Sequence, residues 1–192
     1  VYLPFFQKSA EGCEMTFTVC HLSHFLLTLS LLDLVNASGE GRIITVSSLS
    51  NAGKLDLDSI YNEESYNALW AYAQAKLCNT MFSVELAARL DPGQVTVMCL
   101  DPGNVDTKLW EGVFMDAVPV KDGAETTLFC ARINDARPFH GCFISECDTM
   151  APVEAALDPA KRDLLWKVSE EMTGIYWKDI IRGQDKTACP KP

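Results

Sequence analysis

Tyr72 and Lys76, in the run Ala71-Tyr72-Ala73-Gln74-Ala75-Lys76, stand four residues apart, a spacing that stacks a phenol beside an ammonium group on one helix face. A phenol, with a pKa of about 10, is a poor acid or base at neutral pH, but a neighbouring cation favours the phenolate and pulls that value down. The pair can therefore serve general acid–base chemistry. The same spacing is common on solvated helix faces, so its meaning depends on the elements around it.

Phe17, Cys20, His21, His24, Phe25, Thr28, Leu31, Leu32 and Val35 recur at intervals of three and four and predict one long helix over about 11–35. Asn36 to Gly41 then breaks the pattern. Arg42-Ile43-Ile44-Thr45-Val46-Ser47 is short, β-branched and nearly continuously apolar, as expected of a strand covered on both faces. Residues 49–66 read as a loop. Helical spacing resumes over 69–90 and is stopped by Asp91-Pro92-Gly93 before a second buried strand, 94–100. A helix over 123–133, a third strand over 141–145 and a helix over 160–172, introduced by Pro159, complete the pattern.

Strands that alternate with helices imply parallel pairing through crossovers, hence an α/β fold with helices on both sheet faces. About three strands make a narrow sheet. The 42–47 strand would then keep an open edge, for missing sequence, a partner or a second copy to cover. Residues 1–175 are expected to form one domain and 176–192 a loosely ordered tail.

A formal charge of −10, with no cluster of Lys or Arg, argues against a nucleic-acid partner. The eight cysteines form no C-x-x-C pair and fit reduced thiols in an intracellular, cytoplasmic protein. The longest apolar run, His24 to Val35, falls short of the roughly 20 residues that span a bilayer, so no membrane span is visible. The first residue is Val1 rather than methionine and no secretory leader follows it, so the chain is expected to begin mid-protein. His21 and His24 lack a third ligand nearby and are assigned to packing, with no metal site.

Parallel sheets bind ligands at the carboxyl ends of their strands. Ser47-Ser48 follow the first strand and Asp101-Pro102-Gly103-Asn104-Val105-Asp106-Thr107 the second, with the Tyr72/Lys76 helix between them. Ser48 could hold a substrate oxygen near Tyr72, while Lys76 lowers the phenol pKa and donates to a sugar hydroxyl.

These segments resemble the later part of a short-chain dehydrogenase/reductase of the retinol-dehydrogenase-like branch. Gly41 to Ser48 is similar to its serine strand, Tyr72 to Asn79 to its Y-x-x-x-K-L-A-N helix, and Pro102 to Thr107 to its P-G-x-V-x-T loop. His21 to Leu27 and Leu165 to Glu170 resemble the branch's N-H-L-G-H-F-L-L and L-W-x-x-S-E segments. The resemblance implies an incomplete Rossmann-like doubly wound sheet and an oxidoreductase using NAD or NADP. Its substrate would be an apolar alcohol or carbonyl compound such as a retinoid or lipid aldehyde. Tyr72, Ser48 and Lys76 would be catalytic. Tyr72, Lys76, Pro102, Gly103, Val105 and Thr107 would contact the cofactor.

Several features depart from that family. No glycine-rich turn follows a first strand to bind pyrophosphate; Gly39-Glu40-Gly41 precedes a strand instead. Cys20 stands where the family helix carries an asparagine, and a thiol does not reproduce an amide's hydrogen bonds. Asp101 stands where the branch often has histidine; its carboxylate either acts near the nicotinamide or faces water, the second being favoured. Phe114 and Met115, in an apolar segment over 109–120, are candidates for covering the substrate. The rival reading is an inactive truncated form or pseudoenzyme that acts as an interaction protein, with a membrane contact left to a missing N-terminal segment.

Overall fold

A computed structural model describes residues 1–60, 62–109 and 116–181. Strands β1 (Gly41–Val46), β2 (Val95–Leu100), β3 (Phe143–Ser145) and β4 (Asp148–Met150) form one sheet in that order. β1, β2 and β3 run parallel, with Val46 opposite Leu100 and Leu100 opposite Ile144. The helices are α1 (Met15–Ala37), α2 (Ala68–Ala87), α3 (Val120–Gly123), α4 (Glu125–Arg132), α5 (Glu154–Leu157) and α6 (Pro159–Thr173). The candidate lid residues Phe114 and Met115 lie outside the described residues.

Alternation along the strands sorts the core into two layers. Ile43 and Val97 pack toward Phe25, Leu29, Leu32, Phe82 and Leu86 of α1 and α2, whereas Ile44 and Met98 face Phe129 and Cys130 of α4. β2 is buried at every position and β1 only in part, because β1 pairs on one side alone among the described residues. Local chemistry starts and stops the helices. The Glu14 carboxylate accepts from the Thr16 and Phe17 N–H groups at the start of α1, and Asn67 Oδ1 accepts from Trp70 N at the start of α2. Asp158 caps α6 ahead of Pro159, and Gly174, at φ 70°, ends it in the left-handed conformation.

The structure alters four expectations. A fourth strand, β4, adds antiparallel to β3 through a two-residue turn at Glu146 and Cys147, both at positive φ. Such turns are usually written Asn-Gly or Asp-Gly, which is why the sequence did not announce this one. The first helix contains a π-helical stretch, Thr18–Leu22, around Cys20. Residues 120–132 form two short helices rather than one. Finally, α1 is 23 residues long with a hydropathy of 1.5, enough by length and composition to cross a bilayer, whereas its greasiest run alone falls short. In this fold it buries Phe25, Leu29 and Leu32, while Leu26, Leu27, Leu31 and Leu34 stay exposed.

The last described residues are tied to that core. Trp166 of α6 lies against Phe25 and Phe82, with the Arg89 guanidinium 4.0 Å from its ring centroid. Glu170 Oε1 accepts from Trp166 Nε1 and from Trp177 N, at the head of a short helix over 177–181. The domain boundary expected at 176 therefore falls beside a docked turn, and residues from 182 onward lie outside the described part.

Candidate active site

The end of β1 is clamped to α2 by a side chain the sequence reading passed over. Ser47, fully buried, donates its hydroxyl to the Lys76 carbonyl at 2.7 Å and lies 2.9 Å from the Thr80 hydroxyl. This contact sets the height of Tyr72 and Lys76 against the strand end, while Ser48, one residue on, turns toward the cleft. The Ser48 hydroxyl accepts from Ser50 N at 3.0 Å, and Asn51 Nδ2 donates to the Ser48 carbonyl at 2.8 Å, so the turn carrying it is braced.

Tyr72 is buried, with the Tyr2 ring edge-on to it at 6.5 Å between centroids. The Lys76 ammonium sits 5.5 Å from the centre of the Tyr72 ring and donates to the Val46 carbonyl at 3.2 Å. Burial pushes the Lys76 ammonium below its ordinary range, with acidic neighbours Cys20, Cys99 and Asp101 acting in the opposite direction. A cation at this range stabilises the phenolate form of a tyrosine, the electrostatic condition for proton transfer at neutral pH.

Asp101 does not face water. It is 5% exposed; its Oδ1 accepts from Leu49 N at 2.8 Å and its Oδ2 from Gly103 N at 2.9 Å. One carboxylate thus holds the Ser48 turn and the Pro102-Gly103 loop together. The sequence signal was present: an acidic residue follows a largely apolar strand and stands two residues before a glycine, a position where it can accept that glycine's N–H.

Ser48, Tyr72, Lys76, Pro102, Gly103, Val105 and Thr107 all line one cleft of about 320 Å³ at the carboxyl ends of β1 and β2. Val120, the last residue of the apolar 109–120 segment, closes its far wall with Gly123 and Ala124. Cys20, buried within the π-helical stretch, lies 3.0 Å from the Val1 amino group and is not among the residues that line the cleft.

Residues 3–117 match the short chain dehydrogenase family. The chain belongs to that family. It is 34% identical over 186 residues to human Retinol dehydrogenase 14, covering 88% of this chain and 55% of that protein. It is also 35% identical over 182 residues to the zebrafish (Danio rerio) WW domain-containing oxidoreductase, covering 84% and 44%. The chain thus spans about half the length of the curated relatives it matches. Among solved structures, an uncharacterized protein from Mycobacterium Paratuberculosis superposes with a TM-score of 0.73 at 25% identity, over 91% of this chain and 64% of that one. The NADPH-bound carbonyl reductase from chicken fatty liver shares the fold, with a TM-score of 0.55 at 18% identity over 78% and 63%. This short-chain dehydrogenase therefore has the family's Rossmann-like α/β architecture, with a mostly parallel four-stranded sheet.

One close approach holds the cleft in shape. A Cβ built on Gly123 would meet the Val105 side chain, with Cγ1 at 2.6 Å and Cβ at 3.0 Å. Gly123→Ala is therefore expected to displace Val105 and to lower stability by about 1–3 kcal/mol, the usual range for overpacking. A thermal midpoint equal to that of the parent chain would show that the contact carries no such constraint.

Proposed function

We propose that this chain supplies the proton-transfer and substrate half of an NAD(P)-dependent oxidoreductase that interconverts an alcohol and its carbonyl compound. The observation that carries the reading is the single cleft in which Ser48, Tyr72 and Lys76 face the Pro102–Thr107 loop. The residues fit the nicotinamide and ribose end of a dinucleotide. Gly103 has open space where a Cβ would stand, so its backbone can approach a flat ring, and Thr107 and Lys76 offer donors to a carboxamide and to ribose hydroxyls. The described residues include no glycine-rich strand-to-helix turn for the pyrophosphate.

A bound nicotinamide would supply or accept the hydride. The chain does the rest. Ser48 donates to the substrate oxygen and fixes its distance from Tyr72. Tyr72 gives its hydroxyl proton to that oxygen in reduction and takes it back in oxidation. Lys76 stabilises the phenolate left behind, and Asp101 keeps the Ser48 turn and the Pro102-Gly103 loop in register. Val105, Leu109 and Val120 give the cleft an apolar flank, which suits an apolar segment beside the reacting carbon, in keeping with the resemblance to retinol dehydrogenases.

Titration with NADPH and NADH, followed by reduced-cofactor fluorescence, tests this reading on the chain and on any longer natural form. Binding is expected to weaken about tenfold or more in Lys76→Met, which removes a charge-assisted donor. Failure of both forms to bind either cofactor would overturn it.

A second reading, an interaction protein that has lost catalysis, draws on two observations: the open edge of β1 with the exposed leucines of α1 beside it, and Cys20 in place of the family's asparagine. The same titration separates the two.

A further inference from the structure

Lys76 is a cation without a carboxylate. Among the described residues no Asp or Glu lines the Tyr72 cleft, and no ion pair includes Lys76. Its Nζ donates instead to a neutral acceptor, the Val46 carbonyl, at 3.2 Å. Asp101, the nearby acid, spends both carboxylate oxygens on the N–H groups of Leu49 and Gly103. Cys99 lends no charge at neutral pH, because burial pushes its thiol up to about 11. Burial therefore outweighs what the neighbours return and holds the ammonium below its ordinary range, which enlarges the share of free amine.

The cleft also supplies what the addition of an amine to a carbonyl group needs. Tyr72 stands beside Lys76 on one helix face, with the Lys76 nitrogen 5.5 Å from its ring centre, and both residues line the same space of about 320 Å³. The Ser48 hydroxyl, which accepts from Ser50 N, keeps its own proton to donate into that space. Val105, Leu109, Val120 and Ala124 give an apolar flank for the carbon chain of a ligand. A desolvated lysine amine beside a proton donor is the arrangement that forms Schiff bases with carbonyl compounds.

We propose that Lys76 captures apolar aldehydes in this cleft as an imine, with Tyr72 as the proton shuttle. The nitrogen lone pair attacks the carbonyl carbon and forms the C–N bond. The C=O π pair moves to oxygen, which Ser48 orients and which takes the Tyr72 proton, while the nitrogen gives one of its own protons to the phenolate. Tyr72 then protonates the hydroxyl of this carbinolamine, the C–O bond breaks and water leaves. The remaining proton on nitrogen returns to the phenolate, so amine and aldehyde become imine and water with no oxidant or reductant. The activity goes beyond the oxidoreductase reading and does not rest on it, since no hydride moves and no dinucleotide takes part.

The test mixes the chain, without cofactor and at neutral pH, with an equimolar amount of hexanal. Sodium cyanoborohydride traps each imine as a stable secondary amine, and peptide mass spectrometry reads the label on every lysine. Lys76 is expected to carry about tenfold or more label than the average of the other lysines. In Tyr72→Phe, checked for folding by circular dichroism, the label on Lys76 is expected to fall about tenfold or more while that on the exposed lysines stays as it was. A Lys76 label no greater than the average, or an undiminished one in folded Tyr72→Phe, would overturn the proposal. The first measurement needs no variant, so it decides even where Tyr72→Phe does not fold. Failed cofactor binding would instead overturn the oxidoreductase reading and leave the Lys76 label in place, whereas a missing label with intact cofactor binding would do the reverse.

Discussion

Tyr72→Phe is expected to lower alcohol or carbonyl turnover by roughly 10²–10⁴-fold in the form of the protein that turns over, the span that a positioned general acid–base contributes. The change removes one oxygen from a ring that is 6% exposed and packed edge-on against Tyr2, so the fold should survive it. Losses in kcat and kcat/KM should be similar, because the hydroxyl acts as the proton moves rather than in holding the substrate. Turnover unchanged by the substitution would remove Tyr72 from the mechanism and leave the cleft as a binding site. Lys76→Met should also depress turnover and in addition weaken cofactor binding, a split that separates its two roles.

The second large effect concerns pH and stability. His21 is fully buried among Phe17, Phe25 and Phe82, and its Nε2 lies 2.8 Å from Ser169 Oγ. Ser169 donates its own proton to the Leu165 carbonyl, so it accepts from the imidazole Nε2–H. Burial, with a smaller contribution from His24, pushes the His21 pKa from 6.5 down to about 3, with the nearby Asn79 amide acting in the opposite direction. As pH falls below 6.5 the unfolded chain takes up a proton that the folded chain refuses. Stability should therefore fall by about 1.4 kcal/mol per pH unit, and by about 4–5 kcal/mol in all before the native imidazole titrates. Carboxylates contribute little above pH 5, so the cleanest window is pH 6.5 to 5, where the loss should reach about 2 kcal/mol. Denaturant unfolding across that window checks it, alongside His21→Gln, whose slope should be flatter. A His21 imidazole resonance that titrates near 6.5 in the folded chain would contradict the expectation.

Of the two histidines expected to pack, His21 is buried in the core and His24 is exposed, and the partner of His21 was not legible in the sequence. Three-residue spacing to His24 with no third ligand pointed away from a metal and toward packing, but nothing in the string joined it to Ser169, 148 positions away. Asp101 is the opposite case. Its type suggested a solvated charge, and burial between two loops turned it into a clamp, because two backbone N–H groups replace the water a carboxylate would otherwise need. The β3–β4 hairpin was hidden because Glu146 and Cys147 hold a turn that carries no Gly or Asn signal.

What the chain's letters determined alone are the things that depend on local period and linked motifs. The 3.6-residue pattern of α1 and α2, the β-branched runs of β1 and β2, and the order of serine strand, Y-x-x-x-K helix and Pro-Gly loop all belong to that class, and with them came family and α/β class. Tyr72 and Lys76 could be singled out by their spacing of four. Tertiary structure decided what surrounds them: Ser47 sets their height, Asp101 joins the loops, and the Val46 carbonyl holds the Lys76 ammonium. These depend on residues tens of positions apart meeting at the ends of parallel strands, where crossover connections bring distant loops together and burial, rather than residue type, sets what each charge and hydroxyl can do.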